Sequence, residues 1–439
     1  MQLLCDSEVR HAVLVLANLV RQNGGRALIV GGAVRDAVLE RVVKDVDVEV
    51  YGIPADELER LLDARFGIDR VGQSFGILKL KHCDIDVSLP RRESKAGLGH
   101  RGFEVMTDPF MTTEEASARR DFTFNSMLLD PLTDELIDPH GGQADLARGL
   151  LRHTNAASFH EDPLRVLRAM QLAARLELTA HEETISLCRR IPIEGLARER
   201  LLGEFQKLLV TGVRPSLGLH VLHASGWIEY FPELAALVGV SVQDNDAVDA
   251  WQRTAAALDR YARTRGDDER EELIVGLALL CHAMQAGAEE SFLTRLINSA
   301  SVLDPVLALT EQLRSIPDEA TTSFADADIR RIAWRTGRFD RFLRALVCRS
   351  AWMADDGAPP AHFVASIQQR SEALGVHTQA PVPIIMGRHL LMLGERPGRH
   401  LRPMLDRLFA MQLEGEFDGE EGGIELARRL VGGLLNPLA

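Results

Sequence analysis

Between Leu28 and Val50 the chain commits itself to one kind of architecture. An apolar run meets two adjacent glycines and a helix start, and a strand of alternating acids and valines follows. Leu28-Ile29-Val30 reads as a buried strand and Gly31-Gly32-Ala33-Val34-Arg35-Asp36 as its turn into a helix. Two glycines there let the backbone approach a phosphate closely, and helix N-terminal N–H groups with Arg35 beside them complete an anion cradle. Such a turn alone is more often only a turn, and no G-x-x-x-x-G-K-[ST] phosphate loop is present. The next segment changes that weighting. Lys44-Asp45-Val46-Asp47-Val48-Glu49-Val50 alternates with the period of a strand, so Asp45, Asp47 and Glu49 share a face. Adjacent carboxylates repel unless a cation or water compensates them, and Mg²⁺ is coordinated by such oxygens together with substrate phosphates. Asp45 and Asp47 are therefore the expected metal ligands and catalytic residues; the plain alternative is the solvent face of an edge strand. Asp84 and Asp86, on a later alternating strand, offer a third catalytic carboxylate, and Asp86, just before Ser88-Leu89-Pro90, is the better placed. Metal ions so held would activate a 3′ hydroxyl and neutralise departing pyrophosphate.

Around this core, Arg26 to Ser88 alternates β-rich runs with turns and the helical ADELERLLDARF, and Leu128-Asp130 with Glu135-Asp138 reads as one more hairpin on the sheet. From about Leu146 strand signals vanish and apolar positions recur at helical spacing, as in PLRVLRAMQLAARL and LARERLLGEFQKLL. The expected class is α+β: a mixed-sheet head followed by helices, with segments at 1–145, 146–212, 213–310 and 311–439. A length of 439 residues calls for two to four domains, and 46% hydrophobic with 26% charged residues describes an ordinary globular protein with no membrane span. The apolar start is broken by Asp6, Glu8, Arg10 and His11 and lacks a small-residue cleavage site, so it reads as a first helix of a cytoplasmic protein. Five scattered cysteines, never in a C-x-x-C pair, argue against disulfide and zinc frameworks. A net charge of -14 argues against generic nucleic-acid binding but leaves room for local basic tracks, at Arg91 to Arg101 or Arg396 to Arg407.

GGAVRD followed by KDVDVEV resembles the head signature of the class II tRNA nucleotidyltransferases and bacterial poly(A) polymerases, a branch of the polymerase-β-like superfamily. Further matches follow in order: Arg119-Arg120-Asp121 with Asn125, Asp138-Pro139-His140-Gly141-Gly142, Glu161-Asp162-Pro163-Leu164-Arg165 with Arg168, and Glu199-Arg200 with Glu204. Looser likenesses reach the closing stretch from Met386 to Glu416. The resemblance implies a polymerase-β-like nucleotidyltransferase head, an all-α neck, body and tail, and addition of C and A to tRNA 3′ ends from CTP and ATP with Mg²⁺. Asp162 and Arg165 would read the base edge, on a helix opened by Glu161-Asp162-Pro163, as acceptor and donor. Arg119, Arg120 and Asp121 would meet triphosphate and ribose, and Arg35 the phosphates. Gly31, Gly32, Asn125 and Arg168 complete the expected nucleotide-binding set. Pro90 to Phe103, with Gly97, Gly99 and Gly102, is similar to the flexible loop that some members use to switch from C to A.

Two departures stand out. Gln171-Leu172 replaces the family's Arg-Phe, putting a peripheral nucleotide contact in doubt. Arg253-Thr254 and Cys281-His282-Ala283 stand where many relatives carry HD phosphohydrolase ligands, so a degenerate HD-like body is expected. The rivals are a poly(A) polymerase, a CC-only or A-only enzyme, a non-catalytic RNA-binding protein with a decayed site, and an HD phosphohydrolase.

Overall fold

The computed structural model describes residues 5–43, 45–69, 77–81, 83–95, 103–241, 248–316, 324–350 and 360–433. Lys44 and the glycines Gly97, Gly99 and Gly102 of the expected loop lie outside them. The chain divides into two compact units, Met1–Tyr230 and Phe231–Ala439.

The first unit opens with α1 (Ser7–Gln22), capped by the Asp6 carboxylate, which accepts from the Glu8 N–H at 2.7 Å. Then come β1 (Arg26–Val30), α2 (Gly32–Val38), β2 (Val46–Tyr51), α3 (Ala55–Phe66), β3 (Ile68–Asp69), β4 (Ile77–Leu80) and β5 (Ile85–Ser88). A two-stranded arm, β6 (Arg91–Lys95) with β7 (Phe103–Thr107), takes up the two ends of the expected loop. After α4 (Thr113–Ala118), β8 (Leu128–Leu129) and β9 (Leu136–Ile137) complete a sheet ordered β3-β4-β5-β2-β1-β8-β9. β1 pairs antiparallel with β2 and β8, whereas β2 pairs parallel with β5, which makes the sheet mixed as the sequence implies. Burial of Val46, Val48 and Val50 anchors β2 centrally, with strands on both sides, so its acids do not sit on an edge strand.

Beyond the head lie α5 (Gly142–Ala147), β10 (Leu150–Leu151), α6 (Ala156–Phe159), α7 (Leu164–Leu176), β11 (Thr179–Ala180), α8 (Glu182–Cys188), α9 (Arg198–Gln206) and α10 (Pro215–Ala224). The small parallel pair β10–β11 is the one ladder beyond Leu146 in this unit that periodicity did not announce, because two-residue strands carry no period. α9 runs into a π-turn over Lys207–Thr211. α10 crosses α7 closely: a Cβ on Gly218 would stand 2.5 Å from the Met170 carbonyl oxygen. α7 starts at Leu164, after Glu161-Asp162-Pro163 rather than with them. Pro163 is the N-cap and turns the residue before it away from helical torsions, so Asp162 sits ahead of the helix, where its carboxylate accepts from the Leu164 N–H at 3.0 Å.

The second unit is helical throughout its described residues, apart from an isolated bridge between Ser241 and Asp249. Its helices are α11 (Pro232–Ala235), α12 (Ala250–Ala262), α13 (Glu269–Cys281), α14 (Ala288–Leu296), α15 (Ala300–Ser315), α16 (Asp326–Thr336), α17 (Phe339–Arg349), α18 (Ala361–Ala373), α19 (Gly387–Met392), α20 (Leu401–Glu414) and α21 (Glu420–Val431). The positions expected to stand for HD ligands are packing residues here. Arg253 and Cys281 are buried, the Thr254 hydroxyl donates to the Ala250 carbonyl, and the His282 ring donates to the Leu279 carbonyl at 2.7 Å. The closing motif folds around a core of Ile385, Leu390, Met404, Leu408, Met411 and Phe417. No helix among the described residues is long and apolar enough to cross a membrane.

Candidate active site

The strand-to-helix turn at the C-terminal end of β1 sets the floor of a cleft of about 380 Å³. Gly31 holds φ +73° and ψ −137°, a conformation closed to most L side chains, and caps α2 with its backbone. The walls bring together Gly32, Arg35, Arg119, Arg120, Asp121, Asn125, Asp162, Arg165 and Arg168 with Asp47 and Arg91. Every residue expected to bind nucleotide therefore faces one space. Six arginines against three aspartates make it a site for polyanions inside an acidic protein.

An adjoining cavity of about 180 Å³ shares Asp47, Arg91, Arg119 and Arg120 with the cleft and adds Asp86 and Ser88. Asp47 and Asp86 are direct register partners on the parallel strands β2 and β5, which is why two carboxylates 39 positions apart meet. Burial pushes the Asp47 carboxyl above its ordinary value; Arg120 opposes this, while Asp86, Asp45 and Glu49 add to it. One Asp86 carboxylate oxygen is buried with no hydrogen-bond partner among the described residues. A buried anionic oxygen left in this way, beside a second carboxylate, suits a hard divalent cation. Asp45 precedes β2, is exposed and lines neither cavity. Among the described residues no three His, Cys, Asp or Glu side chains are gathered so as to hold a metal by themselves.

A buried polar chain orders the cleft. The Arg35 guanidinium is clamped by Asp36 at 2.8 and 2.9 Å and donates to Asn125 Oδ1 at 2.9 Å. Asn125 in turn donates to Asp121 Oδ1 at 3.0 Å, and Arg168 Nε donates to Asp121 Oδ2 at 2.7 Å. Burial acts to raise the Asp121 carboxyl, but Arg168, Asn125 and the Phe122 N–H outweigh it and hold it below the usual carboxylate range. The Asp-Pro-x-Gly-Gly motif supports this chain from behind: Asp138 accepts from the Gly142 and Gln143 N–H groups, and a Cβ on Gly142 would stand 2.3 Å from the Thr123 carbonyl oxygen. Asn125 stands on the short turn that Gly142 presses against.

Asp162 and Arg165, expected to read a base edge, are held from both sides. Arg165 donates to the carbonyls of Ser158 at 2.8 Å and Arg119 at 2.6 Å, with its guanidinium 5.8 Å from the Phe159 ring centroid. Asp162 accepts from Arg200 Nη2 at 2.9 Å as well as from the helix. The sequence placed Arg200 in a neck motif but gave it no role, and a contact across 38 positions carries no local signal. Glu49 was also missed, although it lies on the acid face. It is fully buried and holds Arg119 Nη2 at 3.0 Å, Arg120 Nη2 at 3.6 Å and the Tyr51 hydroxyl at 2.6 Å. Gln171, in place of the family's Arg, is buried and accepts from Arg175 at 3.2 Å.

The head matches the family model described as Poly A polymerase head domain over residues 27–152. The Multifunctional CCA protein of Stenotrophomonas maltophilia (strain K279a) is 37% identical over 303 residues, which cover 66% of this chain and 72% of that protein. The chain belongs to the class II CCA-adding enzyme family. The protein of the same name from Xylella fastidiosa (strain 9a5c) is 36% identical over 267 residues, 58% of this chain and 62% of its own. Among solved structures, the Bacillus stearothermophilus CCA-adding enzyme in complex with CTP superposes with a TM-score of 0.71 at 21% identity, over 98% of this chain and 100% of that one. The Thermotoga maritima CCA-adding enzyme complexed with tRNA gives 0.59 at 17% identity, over 98% and 96%. These likenesses show the fold of a CCA-adding enzyme over nearly the full length.

Proposed function

We propose that this protein adds C and A to the 3′ ends of tRNA from CTP and ATP without a nucleic-acid template, releasing pyrophosphate. One observation carries the reading: an arginine-rich cleft and an adjoining carboxylate pair, Asp47 with Asp86, share walls, so nucleotide phosphates and a reacting hydroxyl can be brought together. Asp47 and Asp86, together with Asp45, would hold divalent cation in the form of Mg²⁺. That ion would lower the pKa of the attacking hydroxyl and offset charge on the leaving pyrophosphate. Arg119, Arg120 and Arg35 bind the triphosphate, while Gly31 and Gly32 leave room for it. Asp121 and Asn125 meet the ribose and Arg168 steadies Asp121.

Asp162 and Arg165 read the base. A carboxylate has about four lone-pair sites, so Asp162 can accept from a base amino group while Leu164 and Arg200 hold it. Arg165 presents a planar donor fork that two backbone carbonyls orient in advance. The protein thus takes the part of a template. Residues 1–145 form the head, 146–212 the neck, 213–310 the body and 311–439 the RNA-binding tail, and the reaction takes place in the cytoplasm. Poly(A) addition is not favoured, since the curated relatives matched over some 300 residues are named as CCA proteins. The test is Arg165→Ala on tRNA lacking its end: discrimination of C and A against U and G should fall by about tenfold or more. Unchanged selectivity would reject the base-reading assignment.

A further inference from the structure

β2 carries three polar groups on one face at successive alternate positions, Asp47, Glu49 and Tyr51, opposite buried Val46, Val48 and Val50. Asp47 opens into both cavities, but Glu49 is fully covered and touches neither. A carboxylate so completely desolvated is costly unless charged partners satisfy it. Its partners come from one place: Arg119 at 3.0 Å, Arg120 at 3.6 Å, and the Tyr51 hydroxyl, which donates at 2.6 Å to the other carboxylate oxygen. Both arginines line both cavities. Two guanidinium groups and one hydroxyl thus satisfy a carboxylate that has no access to water.

We infer that Glu49 is a positioning residue for nucleotide, an internal counter-ion that fixes the direction of Arg119 and Arg120 before the triphosphate arrives. Two guanidinium groups side by side among six arginines repel one another, and without an anion beneath them they would spread toward solvent. Glu49 holds one end of each while the remainder lines the cleft. Tyr51 fixes the carboxylate in turn. The effect falls on the triphosphate, common to CTP and ATP, and leaves base choice alone. This inference rests on the reading that Arg119 and Arg120 meet the triphosphate.

The test is CTP and ATP binding to the full chain by calorimetry, together with steady-state kinetics, for Glu49→Gln, Tyr51→Phe, Arg119→Ala, Arg120→Ala and the double variant Glu49→Gln with Arg119→Ala. Glu49→Gln should weaken both nucleotides alike by about tenfold and raise KM with kcat within about threefold, and Glu49→Asp should restore part of the loss. Tyr51→Phe should give a smaller rise in the same direction. In the Arg119→Ala background the effect of Glu49→Gln should shrink to within about threefold, since only the Arg120 contact then remains for it to disturb. Wild-type KM in Glu49→Gln, or a fall in kcat and melting temperature without any change in KM, would overturn the inference. If Glu49→Gln does not fold, Tyr51→Phe decides, and an unchanged KM there also overturns it. If Arg119→Ala and Arg120→Ala both bind CTP normally, the triphosphate reading itself fails, an outcome distinct from failure of Glu49 alone.

Discussion

Replacing Gly31 with Ala separates backbone geometry from side-chain chemistry at the heart of the cleft. At φ +73° and ψ −137° an alanine is strained by about 2–3 kcal/mol. The lower freedom of alanine in the unfolded chain returns about 0.4–1 kcal/mol, leaving a net loss of about 2 kcal/mol. For a unit of this size that corresponds to a fall of about 4–8 °C in the melting midpoint. The new methyl would also stand 3.2 Å from Arg120 Nη1 and 3.7 Å from Asp47 Oδ2, so the KM for CTP should rise as Arg120 is displaced. Gly32 is the internal control. It has no left-handed torsion, and its Cβ would meet only the clamped Arg35 guanidinium, at 3.3 Å, which need give by no more than a few tenths of an ångström. Gly32→Ala should therefore stay within about 0.5 kcal/mol of the parent. Scanning calorimetry of the full chain resolves the comparison through the transition of the Met1–Tyr230 unit. Equal melting of the two variants would refute the geometric reasoning.

Three other outcomes follow from the same geometry. Asp86→Asn should lower nucleotide incorporation by on the order of a hundredfold or more while leaving CTP binding without divalent cation unchanged; near-normal turnover would remove Asp86 from the cation site. Arg200→Ala leaves Asp162 with its helix contact alone, and the kcat/KM ratio of C to U incorporation should fall by about tenfold; an unchanged ratio would make the ion pair a neck support only. Asp121 has a folded pKa below its unfolded value, so its contribution to stability is present above about pH 4 and is lost as the pH falls through the folded value. Asp121→Asn should thus cost about 2 kcal/mol at neutral pH, discounted because Arg168 is about a third exposed, with the gap closing in acid. A gap that widens below pH 4 would contradict the sign.

Much of the site was legible because its pieces are local. Gly31-Gly32 announced the turn, the alternation around Asp47 announced the strand, and Arg119-Arg120-Asp121 stood together in the sequence. Asp86, preferred over Asp84, lies level with Asp47 and lines the adjoining cavity, while Asp84 is exposed outside β5. What stayed hidden needed tertiary distance. Glu49 looked like a third surface acid until Arg119 and Arg120, some 70 positions later, covered it. Arg200 reaches Asp162 only because α9 packs on α7. Asp162 was expected inside the first turn, but the Pro163 ring disfavours helical torsions in the residue before it, and Asp162 lies outside, where its carboxylate accepts from the Leu164 N–H. Asp45 shares the alternation but not the cavities, because the strand begins one residue after it.

Selection of C and then A for a tRNA end by one protein cleft is what we propose. It is tested most directly by incubating the protein with tRNA transcripts ending before, within and after CCA, supplying CTP, ATP, UTP or GTP singly and in pairs, and sequencing the 3′ ends. C is expected on transcripts lacking the end, A only after CC, and no extension of the finished CCA. Long A tails on transcripts regardless of their end, or incorporation of U and G as readily as C and A, would contradict it.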